Sequence, residues 1–241
     1  MNILKKIIQI AKLAVYIFTK KNYKDFIAFA QAGEDRILRL LFYTLGKSKI
    51  SYLDIGTNHP IHFNNTFLFY VAGSRGVCIE ANPNLIAEIK HKRPEDICLN
   101  IGIGKENAAA LDFYIFDSSD EAKGLSTFSP EDVKHVESVS NIKVAEIKKI
   151  PVQNINEIFA KYFPKQPPDL ISIDVEGLDF DIIKCIDLEN YRPCVFCVET
   201  VSFLSHGENS IKNEIKKHFN DHGYKVYAET GINTIFIDSK I

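Results

Sequence analysis

The sequence predicts an α/β fold in which a mostly parallel sheet carries helices on both faces and ends in a C-terminal β-hairpin. Three observations support this prediction. From residue 50 onward, short apolar runs alternate with segments of helical periodicity, as in repeated β-α-β units. The runs are almost continuously apolar, which is typical of strands buried on both faces. The last two runs, 224–230 and 233–238, are separated by a short turn that contains Gly231.

The first half of the chain gives three strands and two helices. An apolar run predicts a strand over 51–56, and a helix over 65–73 follows and stops at glycine. The next run predicts a strand over 76–82. Asn82 is suited to cap the following helix because proline occupies the first helical position after it. Another apolar run predicts a strand over 97–104.

The second half repeats the alternation after an irregular stretch. An extra strand is expected over 110–117, where polar and apolar residues alternate, and the polar stretch 118–148 is expected to form a mobile flap. The remaining elements follow from apolar runs and helical periodicity: helix 154–163, strand 168–177, helix 179–187, strand 194–201 and helix 210–223. Asp179 and Asp181 read as solvated acids of a first helical turn.

Composition limits the class of protein. The chain has 241 residues, 46% of them hydrophobic and 25% charged, which suits one large α/β domain or two small ones. The net charge of −2 excludes a general electrostatic attraction to nucleic acid. The five cysteines are odd in number and lack the spacing of a disulfide framework, so a reducing, cytoplasmic location is expected.

The N-terminal region, residues 1–45, is expected to form a helical extension. Apolar residues recur at helical spacing from Ile3 to Ile17, and lysines interrupt them too often for a membrane-spanning helix. No cleavage site of a signal peptide follows. Two interpretations stay open: a helix docked on the domain or on a second copy of the chain, or a helix lying on an anionic membrane surface such as the inner membrane face.

Four acidic residues mark the expected ligand site. Asp54, Glu80, Asp174 and Glu199 stand at the carboxyl ends of four predicted strands. In parallel sheets, ligands bind beyond these ends, where the strand order reverses. We therefore expect the four carboxylates to line one cleft.

The residues after the first strand favour S-adenosylmethionine as the ligand of this cleft. Gly56 stands alone, without the glycine-rich sequence that holds a dinucleotide pyrophosphate. Glu80, about one β-α-β unit later, can accept both hydroxyls of a ribose. Asp54 disfavours a phosphate and favours a cationic group. S-adenosylmethionine carries an ammonium and a sulfonium and has no phosphate, so it fits better than NAD.

Four stretches also resemble a known family: "QAGEDRIL" at 31–38, "YLDIGTNHP", "GVCIEANPNL" and "DLISIDVEGLDFDIIK". They are similar to the FkbM family of S-adenosylmethionine-dependent methyltransferases, which largely O-methylate sugar or polyketide hydroxyls. The resemblance implies a Rossmann-like, seven-stranded class I methyltransferase sheet, here in residues 46–241.

The resemblance also implies which residues bind the cofactor. These are Asp54, Gly56 and Glu80, with Thr57, Ala81 and Asn82 beside them. Thr57 and His59-Pro60 replace the residues that many members carry, which brings His59 and His62 close to the site. Glu34 and Asp35 of the upstream motif either close over the cofactor or cap a helix.

The acids of the last two parallel strands suggest how an acceptor hydroxyl loses its proton. Asp174 and Glu199 are expected at neighbouring strand ends about 5 Å apart, with His206 a few residues beyond. Together they would bind one divalent cation, Mg, Mn or Fe, which lowers the pKa of the hydroxyl. The alternative is a metal-free enzyme in which His206 or Asp174 is the general base.

These observations predict an S-adenosylmethionine-dependent O-methyltransferase that acts on a sugar hydroxyl, nucleotide-linked sugars included. Two other classes stay open. One is a nucleotide-binding oxidoreductase of Rossmann type. The other is a non-catalytic module docked on a membrane through the N-terminal helix.

Overall fold

The computed structural model describes residues 27–117, 124–175, 177–201 and 208–241. Most of the expected N-terminal helix, Glu176 and His206 lie outside these residues, and what the sequence predicts for them stays a prediction.

Two sheets hold the strands of the described ranges. In chain order the strands are β1 Ser51–Ile55, β2 Arg75–Ile79, β3 Ile97–Leu99, β4 Gly102–Gly104, β5 Ala108–Phe116, β6 Val144–Asn154, β7 Leu170–Ile173, β8 Val195–Glu199, β9 Tyr224–Glu229 and β10 Asn233–Asp238. The main sheet has seven strands in the order β3-β2-β1-β7-β8-β10-β9. All pairs are parallel except those made by β10, which runs antiparallel to β8 and β9. The predicted sheet and its C-terminal hairpin are confirmed.

Helices cover both faces of the main sheet. They are α1 Glu34–Thr44, α2 Phe67–Val71, α3 Pro83–Lys92, α4 Pro130–Val139, α5 Ile155–Tyr162, α6 Asp179–Cys185 and α7 Glu208–Asp221. Phe159, Ile183 and Phe219 bring α5, α6 and α7 into the core on one face. Leu38 and Phe69 bring α1 and α2 into the core on the other. Thus α1, assigned from sequence to the extension, packs on the sheet, while the domain boundary at 45/46 stays a prediction.

Strand alternation sorts the side chains between these two cores. On β1, Leu53 and Ile55 belong to the core under α5–α7, whereas Tyr52 belongs to the core under α1 and α2. Asp54 therefore points to the face covered by α1 and α2. The helix after β2 begins as predicted, because the Asn82 side chain accepts a hydrogen bond from the backbone of Asn84 and proline occupies the first helical position.

A second sheet of three strands, in the order β4-β6-β5, was not predicted. The expected single strand over 97–104 was wrong, because the chain leaves the main sheet between β3 and β4. At this break, the Asn100 side chain donates hydrogen bonds to the backbone carbonyls of Glu80 and Ala81, at 2.9 Å each. The side chain thereby fixes the turn after β2.

The stretch 118–148 contains more regular structure than its polar sequence indicated. It holds α4 and the first part of β6, and Leu125, Val136 and Ile142 form a small buried cluster with Phe116. Residues 118–123 are outside the described ranges. The irregular structure expected here was therefore wrong for α4 and β6, and the role of a flap stays a prediction.

Candidate active site at the carboxyl ends of the strands

The four predicted acids lie at the ends of four neighbouring strands, in the order β2-β1-β7-β8. Asp54 is the penultimate residue of β1, Glu80 and Asp174 directly follow β2 and β7, and Glu199 ends β8. The parallel register pairs Ile173 with Val198, so the next residues, Asp174 and Glu199, are adjacent across the two strands. The charges of Asp54 and Asp174 both act on the buried Cys197 thiol of β8. The prediction that these acids lie at the carboxyl ends of the strands is therefore confirmed.

Glu80 is a buried carboxylate with two backbone donors. Its side-chain oxygens accept hydrogen bonds from Asn58 N and Asn82 N, at 2.7 Å each. Burial raises the pKa of Glu80 to about 7, against the smaller opposing effect of these hydrogen bonds. A carboxylate oxygen has two lone-pair sites, so each oxygen can still accept one further hydrogen bond. The geometry thus suits a ligand that presents two neighbouring hydroxyls.

Ala81, in the turn after β2, packs against the second, three-stranded sheet. It packs with Phe128 against a buried cluster of Phe113, Ile115 and Ile150. The rings of Phe113 and Phe128 are 4.7 Å apart. The start of the 124–148 stretch therefore packs beside the turn that carries Glu80.

Asp54 has a set of partners that the sequence did not reveal. Its Oδ2 accepts hydrogen bonds from the Thr66 hydroxyl at 2.7 Å and the Asn64 amide at 3.1 Å, and it pairs with Arg93 at 3.3 Å. Arg93 has no exposed surface at all. The sequence did not indicate this burial, because an arginine that follows a basic last helical turn is normally exposed to solvent. The cofactor role expected for Asp54 stays a prediction.

The turn after β1 brings two backbone segments into close approach. Gly56 has φ +79°, and a Cβ at this position would lie 1.8 Å from the backbone oxygen of Asp174. The Thr57 hydroxyl donates to the backbone oxygen of Asp54 at 3.2 Å. Glycine is therefore required here by the packing of the β1 turn on the β7 turn, whatever it does for a ligand.

The two histidines of the first loop, which joins β1 to α2, make local contacts. His59 Nδ1 accepts hydrogen bonds from the backbone of Ile61 at 3.0 Å and His62 at 2.9 Å. Its other ring nitrogen lies 3.7 Å from the Glu88 carboxylate. The histidines therefore shape the loop that was expected to bind the cofactor.

Asp179 holds the turn that follows β7. It is buried, and its two oxygens accept hydrogen bonds from Val175 N at 3.1 Å and Gly177 N at 3.2 Å. Burial raises its pKa to about 6. The reading of Asp179 as a solvated acid was wrong, whereas Asp181 is exposed as expected. Asp179 thus fixes the backbone on which Asp174 lies.

The acids of the upstream motif bind the protein itself. Glu34 is fully buried and accepts hydrogen bonds from the Thr230 hydroxyl at 2.6 Å and the Asn233 amide at 3.0 Å. Asp35 accepts a hydrogen bond from Phe29 N at 2.7 Å, and burial raises its pKa. These contacts join α1 to the β9–β10 hairpin and to the chain before α1, and the two roles expected for the motif, closing over the cofactor or capping a helix, stay predictions.

The predicted metal ligands are only partly within the described ranges. Across those ranges, no group of three or more His, Cys, Asp or Glu side chains is arranged to hold a metal ion. Asp174 and Glu199 are adjacent, and the third predicted ligand, His206, lies outside the described residues. All five cysteines are free thiols. Among the described residues, no helix has the length and apolarity needed to cross a membrane.

Comparison with known proteins gives one family match. The model of the methyltransferase FkbM domain matches residues 54–226. A search among curated proteins finds no match.

Solved structures with a similar fold include several bacterial and archaeal proteins. An O-methyltransferase from Bacillus cereus in complex with SAH is 13% identical, with 95% of each chain covered and a TM-score of 0.41. A putative O-methyltransferase from Klebsiella pneumoniae is 10% identical, with 95% of this chain and 96% of that chain covered and a TM-score of 0.44. Thermoplasma acidophilum 1320 is 10% identical over 86% and 85% of the two chains, also at 0.44. None of these values supports an inference about function.

Proposed function

Because the chain belongs to the FkbM family of methyltransferases, we propose that it transfers the methyl group of S-adenosylmethionine to a sugar hydroxyl, nucleotide-linked sugars included. Its seven-stranded sheet with a single antiparallel strand is the class I methyltransferase fold. Methyltransferase activity follows from the family. The donor, the oxygen acceptor and the sugar are the parts proposed here.

The observation that carries the choice of donor is Glu80. It stands at the carboxyl end of β2, next to β1, as a buried carboxylate with acceptor capacity left on both oxygens. A ribose offers two adjacent hydroxyl donors that match this arrangement. The first loop, between β1 and α2, has no glycine-rich sequence for a pyrophosphate. These features favour S-adenosylmethionine over a dinucleotide.

The reaction would proceed by a single displacement. When bound, S-adenosylmethionine supplies a methyl carbon that is already activated by its positive sulfur. The acceptor oxygen forms the new bond to this carbon, the carbon–sulfur bond breaks, and its electron pair stays on sulfur. The hydroxyl proton must pass to a base. In an enzyme without a metal, the proposed proton acceptor is the carboxylate of Asp174, which directly follows β7, the strand next to β1; Asp179 holds the turn after Asp174.

Divalent-metal assistance is a further part of the proposal. Asp174 and Glu199, with His206, would hold the cation. Bound there, a cation would lower the pKa of the acceptor hydroxyl. Support comes from the adjacency of the two carboxylates. Activity that survives thorough dialysis against EDTA would favour the alternative, in which His206 or Asp174 acts as base without a metal.

The test of the donor is calorimetry. We expect S-adenosylhomocysteine to bind the full chain and NADH not to bind. Glu80→Gln should weaken S-adenosylhomocysteine binding at least about tenfold, because the amide places an N–H against one of the two backbone N–H donors. Glu189→Gln, an exposed change at the opposite edge of the sheet, is the control. Tight NADH binding without S-adenosylhomocysteine binding would establish the oxidoreductase alternative instead.

The test of the acceptor is a screen of nucleotide-sugars and free sugars with labelled methyl donor, with and without Mg and Mn. Transfer of label to a sugar oxygen is the expected result. A chain that binds the donor and labels no sugar, while it labels another class of acceptor, would contradict the sugar assignment alone.

The partners proposed for the N-terminal region rest on its basic and apolar pattern. A peripheral membrane contact or a homo-oligomer, in a cytoplasmic protein, would each use this helix. Co-sedimentation with anionic vesicles and sedimentation velocity, on the full chain and on a chain without residues 1–24, separate the two. Equal behaviour of both chains in both measurements would remove the proposal.

A further inference from the structure

Arg93 is the centre of a buried polar cluster beside the turn after β1. It lies at the C-terminal end of α3 and is fully buried. Its guanidinium donates to Asp96 at 2.8 Å, to Thr66 at 2.8 Å and to Asn64 at 3.2 Å, and pairs with Asp54 at 3.3 Å. A buried arginine is tolerated only when its charge is paired and its donors are satisfied, and both conditions hold here.

The cluster has one side that belongs to the sheet and one side that belongs to the first loop. On the sheet side, Asp96 also accepts hydrogen bonds from the Tyr52 hydroxyl at 2.6 Å and from Gly76 N at 2.9 Å. Arg93 lies over the Tyr52 ring, 5.4 Å from its centre. These contacts anchor the guanidinium to β1 and β2, so it cannot follow the loop if the loop moves.

On the other side, the partners of Arg93 are residues of the loop between β1 and α2. Asn64 Oδ1 accepts one hydrogen bond from the Arg93 guanidinium and another, at 2.8 Å, from Phe67 N at the start of α2. The Asn64 amide donates to the backbone oxygen of Thr57 at 3.2 Å. One side chain held by Arg93 therefore fixes both ends of the loop.

This loop needs external support because its backbone is strained. Asn58 has φ 49° and Phe63 has φ 54°, both in the left-handed region, which asparagine tolerates and phenylalanine rarely adopts. Phe63 is also 72% exposed, so packing of its own ring does not hold it there. Strained residues of this kind persist when surrounding structure over-determines them, and they concentrate at ligand sites. Asn58 N is also the donor to Glu80.

We propose that Arg93 is a positioning residue: bound to Asp54, Asn64 and Thr66, it sets the shape of the loop between β1 and α2 and thereby the affinity for the methyl donor. Asp54 then acts as the counterion of Arg93, and Glu80 makes the direct contact with the donor. This inference rests on the proposed function, because the loop is taken as the wall of the donor site.

Two variants test it by calorimetry with S-adenosylhomocysteine on the full chain. Arg93→Lys keeps the charge and loses the planar fork that reaches several partners at once. Thr66→Val removes only the hydroxyl between Arg93 and Asp54, so it keeps the test decisive if Arg93→Lys does not fold. We expect each variant to weaken binding at least about tenfold, because small misplacements of a binding wall are costly. The KM for S-adenosylmethionine should rise more than the KM for the acceptor.

Arg192→Lys is the matched control. Arg192 also pairs with an aspartate, Asp238 at 2.7 Å, and lies over a tyrosine ring, Tyr224 at 4.7 Å, but it precedes β8 at the opposite edge of the sheet. It should lower thermal stability without changing the affinity. Folded variants of Arg93 or Thr66 that bind within twofold of the unaltered chain would overturn the inference. No binding by the unaltered chain would instead overturn the proposed function.

Discussion

At the scale of single residues, Glu80 is buried, which favours its protonated form, but its proposed contact with a ribose requires the ionised form. Burial raises its pKa to about 7, so a sizeable fraction of the carboxyl is protonated near neutral pH. A ligand that donates two hydroxyls prefers the ionised form, because the protonated carboxyl offers a donor where an acceptor is needed. Ligand binding should therefore pull the pKa of Glu80 down, and its affinity should depend on pH around 7.

This gives a prediction for binding. The affinity for S-adenosylhomocysteine should fall several-fold between pH 8 and pH 6, because each ligand must displace a proton from Glu80 as the pH drops below its pKa. Glu80→Gln should bind more weakly and lose this dependence. Calorimetry at pH 6, 7 and 8 on both proteins measures it. Parallel pH profiles of the two proteins would show that Glu80 is not the titrating group.

Residues were predicted from sequence where a strand end identified them, and missed where the fold alone brings them in. Glu80 and Asp174 were found because an apolar run stops at each of them. Arg93 and Asp179 were missed because a charged residue at a helix end normally faces water. Their burial depends on partners far along the chain, Asp54 for Arg93, or on the shape of a turn for Asp179, and neither leaves a periodic signal.

At the scale of elements, the turns after β1 and β7 form one unit. The approach of Gly56 to the backbone oxygen of Asp174 leaves no room for a methyl group, and neither backbone can yield without breaking the parallel pairing of the two strands. The loop with the donor contacts and the turn with the proposed base therefore cannot shift independently.

The prediction at this scale compares two glycines. Gly46→Ala, at φ +73° with no atom within 4 Å, should cost about 1–2 kcal/mol of the free energy of unfolding from the backbone conformation alone. Gly56→Ala, at φ +79°, adds the steric overlap and should cost more than about 4 kcal/mol or prevent folding. Urea unfolding of both variants measures the difference. Equal destabilisation by both would mean that the two turns can separate freely.

Elements were predicted well where their pattern was uniform. Buried strands such as β1 and β8 read as apolar runs, and their order along the chain gave the main sheet. The second sheet was missed because both faces of the first half of β6 mix apolar and charged residues: Ile147 and Lys149 are exposed, and Glu146 and Lys148 on the other face are half-buried, so the sequence shows no period of two. β3 and β4 were merged because a single asparagine, Asn100, separates the two sheets there together with the neighbouring isoleucine.

At the scale of the whole molecule, buried acids give the fold a pH dependence. The pKa of Glu80 rises from 4.5 to about 7 and that of Asp179 from 3.8 to about 6, both through burial. Between the ordinary pKa and the raised pKa of each residue, the folded state therefore binds more protons than the unfolded state. The free energy of unfolding contributed by these groups is therefore highest near pH 4 and falls as the pH rises to about 7.

The corresponding prediction concerns the slope, because other groups titrate as well. The unaltered chain should lose free energy of unfolding between pH 5 and pH 8 as Glu80 is forced to ionise. In Glu80→Gln this loss should be smaller by up to about 3 kcal/mol, so the variant gains stability relative to the unaltered chain at pH 8. Urea unfolding at four pH values measures it. Glu189→Gln should leave the slope as it is. An unchanged slope for Glu80→Gln would refute the raised pKa.

The position of β10 in the sheet bears on how the chain assembles. β8 is buried along its whole length between β7 and β10, and the strand that covers its second edge ends only at residue 238. Until that residue has been synthesised, the nascent chain carries an apolar strand with an open hydrogen-bonding edge, the kind of surface that recruits other chains. The central pair β1 and β7 is likewise separated by more than a hundred residues, so the sheet should assemble slowly.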